Sequence, residues 1–149
     1  FAPHIHFEYR DSKSVPLNPL TMAFELEDQI MPVARELAVI PLSQNALVNA
    51  SPLTQTFPLF RDKSGVYHFP DTISVFGEFG FAMNVVDKRE GTNNVYQFHR
   101  AELMVDGNLE FELSYDRIPF NQGKFAKTMI EYDLKRKNLG EFQKLYRLP

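Results

Sequence analysis

Two histidines near the start of the chain, His4 and His6, are the residues whose type and spacing best suit chemistry. They stand in the run Pro-His-Ile-His-Phe-Glu-Tyr-Arg, where apolar and polar residues alternate from Ile5 to Arg10. That period of two predicts a half-buried β-strand, on which residues two apart project from the same face. We therefore expect both imidazoles on one face and Ile5 and Phe7 in the core.

An imidazole pair on one face can bind a metal ion with one ring and transfer a proton with the other. A catalytic zinc ion typically takes three protein ligands and keeps its fourth position for water. Bound zinc lowers the pKa of that water towards about 7, which produces a hydroxide able to attack a peptide carbonyl. A His-x-His pair alone is also typical of exposed polar residues on a strand, so the surrounding residues must decide between the two interpretations.

The surrounding residues closely resemble the C-terminal signature of LytM/lysostaphin-type zinc peptidoglycan endopeptidases. The resemblance covers residues 2–20 and includes Pro-Leu-Asn-Pro at 16–19. It implies that His6 is a zinc ligand and that His4 is the catalytic histidine, which acts as a general acid/base or stabilises the transition state. One departure is Ala2, because the family usually has glycine before the proline of this motif.

The family's other zinc ligands, a His and an Asp in a His-x-x-x-Asp motif, lie far upstream of this signature. Neither of the two later histidines replaces that motif, because Asp71 follows His68 at the wrong spacing and His99 is followed by Glu102 and Leu103. We therefore expect the chain to be a piece of a longer protein. Its missing upstream part would complete the zinc site, and this chain alone would be inactive.

The resemblance also implies a substrate and a location. The substrate would be a peptide crosslink of bacterial peptidoglycan, and the enzyme would work in the periplasm or cell envelope. Two alternatives remain at this point. The protein could be a non-catalytic relative that activates cell-wall amidases, which the presence of both His4 and His6 argues mildly against. The later part of the chain could instead be a docking module for envelope polysaccharide or for an envelope protein partner.

Composition argues against several other classes of protein. The net charge is −3, and the basic cluster Lys135–Lys137 lies beside Glu131 and Asp133, which is typical of a solvated helix face rather than a nucleic-acid site. The chain has no cysteine, which excludes disulfides, cysteine zinc sites and a thiol nucleophile. Its apolar runs are all shorter than the roughly 18 residues that a membrane span requires.

The histidine pair precedes a proline-rich stretch that we interpret as the exit from one domain. The predicted domains are a C-terminal fragment of the peptidase domain at 1–24, a linker at 25–32 and an accessory domain at 33–149. The last of these more loosely resembles the immunoglobulin-like domains that follow such peptidases, which implies no catalytic residues in it. That likeness rests on Gly65-Val66-Tyr67, Pro70-Asp71-Thr72-Ile73, Val105-Asp106-Gly107 and Phe142-Gln143-Lys144-Leu145-Tyr146.

Short apolar segments punctuated by turns predict a mainly β fold, with a β-sandwich and a short helix near the C-terminus. The resemblance implies that the sandwich is immunoglobulin-like and that the first residues form the terminal strand of a β-rich peptidase domain. Asp106-Gly107 predicts a tight hairpin turn, because this pair readily takes positive φ angles. Apolar spacing predicts the helix at 125–134, with Gly140 beyond its end. The strands are predicted at 36–42, 56–60, 66–69, 72–86, 95–105, 109–113 and 142–148.

Other side chains in the predicted accessory domain have structural interpretations that we prefer to functional ones. Phe76, Phe79 and Phe81 are predicted to be core residues rather than a platform for sugar binding, because they lie in or beside an alternating strand pattern. Asp71 and Asp87 are predicted to be turn residues, since no oxygen-rich loop of the kind that binds calcium surrounds them.

Overall fold

The computed structural model describes residues 3–22 and 28–147, and its fold is mainly β, as the sequence predicts. The strands are β1 (Tyr9–Arg10), β2 (Pro16–Leu17), β3 (Val33–Pro41), β4 (Leu47–Val48), β5 (Gln55–Pro58), β6 (Phe60–Arg61), β7 (Tyr67–His68), β8 (Val75–Phe76), β9 (Phe79–Val86), β10 (Arg100–Val105), β11 (Asn108–Ser114) and β12 (Gln143–Lys144). The helices are α1 (Phe120–Gly123) and α2 (Tyr132–Arg136), with 3-10 turns at Pro19–Thr21 and Ala126–Met129.

A four-stranded antiparallel sheet, in the order β12-β9-β3-β5, forms the centre of the structure. Its longest pairing joins β3 to β9 and places Leu37 opposite Met83 and Ala38 opposite Ala82. Four consecutive residues of β3, Leu37–Ile40, are buried. A continuous apolar run of this kind is expected where a strand is covered on both faces.

One face of the sheet packs against α2 and the start of β12. Ala38, Ile40 and Ala82 contribute the sheet side of this cluster, while Leu134 and Phe142 cover it. Phe142 is completely buried, and full burial of a side chain of its size contributes about 1.5 to 3 kcal/mol. The short helix near the C-terminus is therefore a part of the core rather than an appendage.

The opposite face is covered by hairpins. Leu37 and Val39 pack with Val48 of β4, and Val85 packs with Phe98 and Phe111. The residues of β10 and β11 that join this layer alternate along each strand, as expected for a hairpin lying on a sheet. The sheet thus has cover on two sides, although the immunoglobulin-like sandwich itself stays a prediction.

The hairpin of β10 and β11 has the predicted turn. Asp106 and Gly107 have φ angles of 51° and 80°, the positive values of a tight primed turn. The register shifts after Leu103, which faces Phe111, so that Met104 faces Leu109. This bulge gives β11 one extra residue and bends the hairpin near its tip.

The predicted continuous helix at 125–134 is wrong. The chain forms the 3-10 turn Ala126–Met129, becomes extended at Ile130, and only then forms α2. Ile130 makes a β-bridge with Gln143, and the Glu131 N–H donates to the Phe142 carbonyl at 2.8 Å. Pairing with the β12 segment thus replaces the helical hydrogen bonds at this point.

The prediction for Phe76 is also wrong, since its side chain is 64% exposed, whereas Phe79 and Phe81 are half-buried against the sheet. Gly77, with a φ angle of 76°, turns the chain between β8 and β9. The two strands pair with different partners, β4 and β3 respectively. An alternation that continues through such a turn in the sequence does not define one face in three dimensions.

The first two strands form a small hairpin that contacts the chain after β11. The Asn18 N–H donates to the Asp116 carbonyl at 2.8 Å, and Leu17 makes a β-bridge with Arg117. The Arg10 guanidinium lies 5.0 Å from the centre of the Phe120 ring, a cation–π arrangement. The predicted domain division stays a prediction, and residues 25–27 of the predicted linker lie outside the described residues.

Across residues 3–22 and 28–147, none of the helices has the combination of length and apolar character that crossing a membrane requires.

Candidate functional site

The structure brings the side chains of His4 and His6 together. Both residues lie in the segment that leads into β1, and both are exposed. Their Nε2 atoms are 2.7 Å apart, and the centres of the two rings are 4.5 Å apart with the ring planes at 63°. The two imidazoles therefore converge, each through its Nε2 atom, as a pair that shares one proton or one metal ion can do.

The distance between the two nitrogens defines what the pair can do. A hydrogen bond between them requires one Nε2–H to donate and the other Nε2 to be unprotonated. Two nitrogens bound to one tetrahedral zinc ion would be about 3.3 Å apart, which follows from zinc–nitrogen bonds of about 2.0 Å. A small rotation of either ring would change one arrangement into the other.

The histidine segment, residues 3–8, differs from the predicted structure. Only Tyr9–Arg10 of the predicted strand at 5–10 is a strand, and it pairs with β2. The expectation that Ile5 and Phe7 are core residues is wrong, because they are 92% and 60% exposed. A half-buried strand needs a neighbouring strand and a core beneath it, and within the described ranges residues 3–8 have no β-pairing.

An ion pair holds the segment just after the histidines. Arg10 bonds the Glu8 carboxylate through Nη2 and also through Nε, the latter at 2.8 Å. The same guanidinium lies over the Phe120 ring. No pattern within the sequence indicates the contact between Arg10 and Phe120, because the two residues are far apart in the chain. It fixes where the histidine segment leaves the body of the molecule.

The described residues can supply only part of a zinc site. Among residues 3–22 and 28–147, no three or more His, Cys, Asp and Glu side chains come together in a way that could hold a metal ion. A catalytic zinc ion typically needs three protein ligands. His4 and His6 have the right donor atoms and the right convergence, so they fit a fraction of such a site and leave at least one ligand to be supplied.

Elsewhere, two further histidines each contact a carboxylate that also binds a serine. His68 Nε2 lies 2.7 Å from Asp62 Oδ2, and the Ser64 hydroxyl donates to Asp62 Oδ1 at 2.6 Å. These contacts, that of Ser64 above all, hold the pKa of Asp62 well below its ordinary value. The aspartate stands between serine and histidine, so His68 cannot take the proton of this serine as it would in a catalytic triad.

In the second cluster an aspartate again lies between a serine and a histidine. His99 Nε2 lies 2.8 Å from Asp116 Oδ1, and the Ser114 hydroxyl donates to the other carboxylate oxygen. The hydrogen bond from Ser114, followed by the contact with His99, lowers the pKa of Asp116, while partial desolvation opposes them. Both clusters therefore hold loops in place, and neither joins the histidine pair near the start of the chain.

Comparison with protein-family models, with curated proteins and with solved structures finds no match to this chain.

One feature of the structure had no signal in the sequence. Asp87, predicted to be a turn residue, makes a backbone bridge with Tyr96 at the end of β9. Asp87 and Arg89 both line a pocket beside this bridge. Sequence spacing could not reveal the pocket, because its other walls come from four separate parts of the chain.

Proposed function

We propose that this chain is part of a zinc metalloendopeptidase of the LytM/lysostaphin type, which hydrolyses peptide crosslinks of bacterial peptidoglycan. The observation that carries the proposal is the convergence of His4 Nε2 and His6 Nε2 at 2.7 Å on an exposed segment. That convergence lies inside the Pro-His-Ile-His-Phe-Glu signature, where the resemblance calls for one metal ligand and one catalytic histidine.

The two histidines have different roles in this proposal. His6 binds the metal through its imidazole, and His4 faces the substrate and moves a proton or stabilises the transition state. Zinc, when bound, supplies a water of lowered pKa as the nucleophile. The remaining ligands, a His and an Asp, come from the upstream part of the same protein, since the described residues hold no cluster of three.

The exposed apolar residues of the histidine segment support the same proposal. Ile5 and Phe7 alternate with the histidines and are 92% and 60% exposed. Covering each side chain would stabilise the complete protein by about 1.5 to 3 kcal/mol. We infer that the upstream part of the peptidase provides both the missing ligands and the apolar surface against which Ile5 and Phe7 pack.

The remaining parts of the proposal follow from the resemblance. Residues 33–149 are an accessory domain that adds no catalytic group, and the protein acts in the periplasm or cell envelope. Peptidoglycan peptides are then the substrate partner, with an envelope protein as a possible second partner of the accessory domain.

The decisive experiment is a measurement of zinc content by elemental analysis, on this chain and on the longer protein with its upstream part. We expect stoichiometric zinc only in the longer protein, and its loss in the His6→Ala variant. His68→Ala is the matched control, because His68 is an exposed histidine bonded to Asp62, and this variant should keep its zinc. Absence of zinc from the longer protein, or full zinc in His6→Ala, would overturn the proposal.

A second candidate function, an envelope docking module, is favoured by an apolar groove. The groove has a volume of about 610 Å³ and lies between the central sheet, Tyr67 and Phe69, and the tip of the β10–β11 hairpin. Its floor includes Leu37 and Met83, and Met104 stands at its edge with 53% of its surface exposed. An uncovered groove of this kind is a common place for a partner to bind.

Binding of the chain to purified peptidoglycan sacculi tests this second candidate. Met104→Lys should weaken binding severalfold, because it places a charge in the apolar groove. Met31→Lys is the matched control, since Met31 is similarly exposed at 65% and does not line the groove. Equal binding by the two variants would rule out the groove as the binding surface for peptidoglycan.

A further inference from the structure

A pocket of about 480 Å³ lies between the 3-10 turn after β2 and the segments that follow β9. Its size is within the ordinary range of small-molecule sites, about 300 to 1,000 Å³. The walls combine charged and aromatic side chains rather than apolar ones alone. The residues that matter here are Asp28, Asp87, Arg89, Tyr96, Phe98 and Tyr115.

Two residues that line this pocket each carry a buried side-chain atom with no hydrogen-bond partner among the described residues: Asp87 with Oδ1 and Arg89 with Nε. One is an acceptor and the other a donor. A buried polar atom without a partner costs about 1 to 3 kcal/mol, so native structures rarely leave two in one pocket. Their presence in two lining residues indicates a place where partners come from outside the described residues.

The backbone fixes the position of the orphaned acceptor. Asp87 N–H donates to the Tyr96 carbonyl at 3.1 Å, and Tyr96 N–H donates to the Asp87 carbonyl at 2.9 Å. The residue two positions further on, Arg89, lines the same pocket. An acidic and a basic residue, two positions apart on one segment, therefore both line the pocket.

The charges around the pocket favour a ligand that carries both signs. Burial, together with the nearby charge of Asp28, raises the pKa of Asp87. A cationic group placed between these carboxylates would relieve their repulsion. On the other side, hydrogen bonds from Asn94 and Thr92 and the charge of Arg89 lower the pKa of Tyr96. The guanidinium thus lies near the phenol, where an anionic group could reach it.

We propose that this pocket binds a small zwitterion of the α-amino-acid type, with its ammonium group on Asp87 and Asp28 and its carboxylate on Arg89. Phe98, which is 7% exposed, and Tyr115 supply an apolar wall for the ligand's side chain. Each end of such a ligand faces a residue that carries one of the two orphaned atoms. The inference does not depend on the zinc site, because none of these residues belongs to the histidine segment.

A titration of the full chain with L-leucine, up to about 10 mM ligand, tests this inference. Changes in the amide chemical shifts measured by NMR report the binding. We expect shifts for residues around the pocket. N-acetyl-L-leucine, which lacks the ammonium, and L-leucinamide, which lacks the carboxylate, should each bind at least about tenfold more weakly. The D-enantiomer of leucine serves as a second probe, so that a preference for either hand is also detected.

Two variants locate the site. Leucine binding should weaken at least about tenfold in Asp87→Asn and in Arg89→Gln. It should stay unchanged in the control variants Asp71→Asn and Arg136→Gln, which change exposed residues outside the pocket. A thermal unfolding curve verifies that every variant is folded. The inference is overturned if the folded wild-type chain shows no shifts with either enantiomer, or if the acetylated and amidated probes bind as well as leucine does. Water alone would then occupy the pocket.

Discussion

The convergence of the His4 and His6 nitrogens is a contact between single side chains, and it leads to a prediction at that scale. In the longer protein, His4→Gln should keep zinc and lower the rate of peptidoglycan hydrolysis by about 10² to 10⁴, the usual contribution of a general acid/base. His6→Gln should lose both zinc and activity. Zinc content and dye release from labelled peptidoglycan, measured on the same preparations, separate the two effects.

His99→Gln is the matched control for both variants, because His99 is exposed and bonded to Asp116 outside the histidine segment. It should retain zinc and activity. The roles assigned to His4 and His6 would be wrong if His4→Gln lost zinc while His6→Gln kept it.

A second prediction at this scale concerns acid stability. In the folded chain, the hydrogen bonds of Asp62, first with Ser64 and then with His68, lower the pKa of its carboxyl group below the ordinary value of 3.8. A carboxylate whose folded-state pKa is depressed contributes stability above its unfolded pKa and loses it as the pH falls below that value. The free energy of unfolding should therefore fall between about pH 5 and pH 2, and less steeply in Asp62→Asn.

Urea unfolding at several pH values measures this slope. Asp71→Asn is the matched control, because Asp71 is an exposed aspartate outside the Asp62 cluster. The free energy of unfolding of this variant should fall with pH as steeply as that of the wild type. An Asp62→Asn curve parallel to that of the wild type would show that the cluster contributes nothing to acid stability.

At the scale of elements, β9 depends on a glycine that no other residue can replace without movement. A Cβ at Gly80 would lie 2.6 Å from Cδ1 of Tyr146, closer than real Cβ atoms approach their neighbours. Gly80→Ala should thus lower the free energy of unfolding by about 1 to 3 kcal/mol, as overpacking commonly does. Thermal or urea unfolding of the purified variant measures the loss.

Gly123→Ala is the control for this prediction, because a Cβ at Gly123 in α1 meets nothing within 4 Å. That substitution should be neutral or slightly stabilising. Combining Gly80→Ala with Tyr146→Ala should cost less than the sum of the two single changes, since the clash is gone. Simple additivity would mean that the ring does not cause the loss.

How much of the fold can be predicted from sequence depends on whether a signal is local. The turn at Asp106-Gly107 needs only the conformational preferences of two residues, and the prediction is confirmed. The alternation of residue types from Phe79 onward is similarly local, and the structure has strand β9 there. The helix at 125–134 fails because Ile130 and Glu131 pair with the β12 segment, which no pattern within the helix itself could reveal.

The same distinction applies to the candidate site. Spacing alone predicts that His4 and His6 lie on one side, and their nitrogens do converge. Residue spacing could not predict the exposure of Ile5 and Phe7, because burial depends on which other parts of the protein pack against the histidine segment. The pocket at Asp87 and Arg89 depends on the packing of distant segments, so its orphaned atoms become visible only in three dimensions.

At the scale of the whole molecule, the apolar residues of the histidine segment predict a difference between this chain and the longer protein. Ile5→Ser should leave the stability of this chain almost unchanged, because Ile5 is 92% exposed. In the longer protein the same change should lower stability by about 1 to 3 kcal/mol, since the side chain would be buried there. Unfolding curves of the two forms make the comparison.

Val39→Ser provides the contrast, because Val39 is completely buried in the central sheet and its loss should destabilise both forms. A loss of stability from Ile5→Ser of the same size in both forms would contradict the proposal that the upstream part covers this segment.

The bond between Asn18 and Asp116 has a consequence for the order of folding. It joins residues that are roughly a hundred positions apart, so forming it early would close a loop at an entropic cost of about 4 kcal/mol. The sheet and the β10–β11 hairpin shorten that loop when they form first, so the small hairpin should attach last and detach first. The histidine segment then acquires its anchored position only in a molecule whose core is complete, so that the two imidazoles are placed last, on a scaffold that can already hold them.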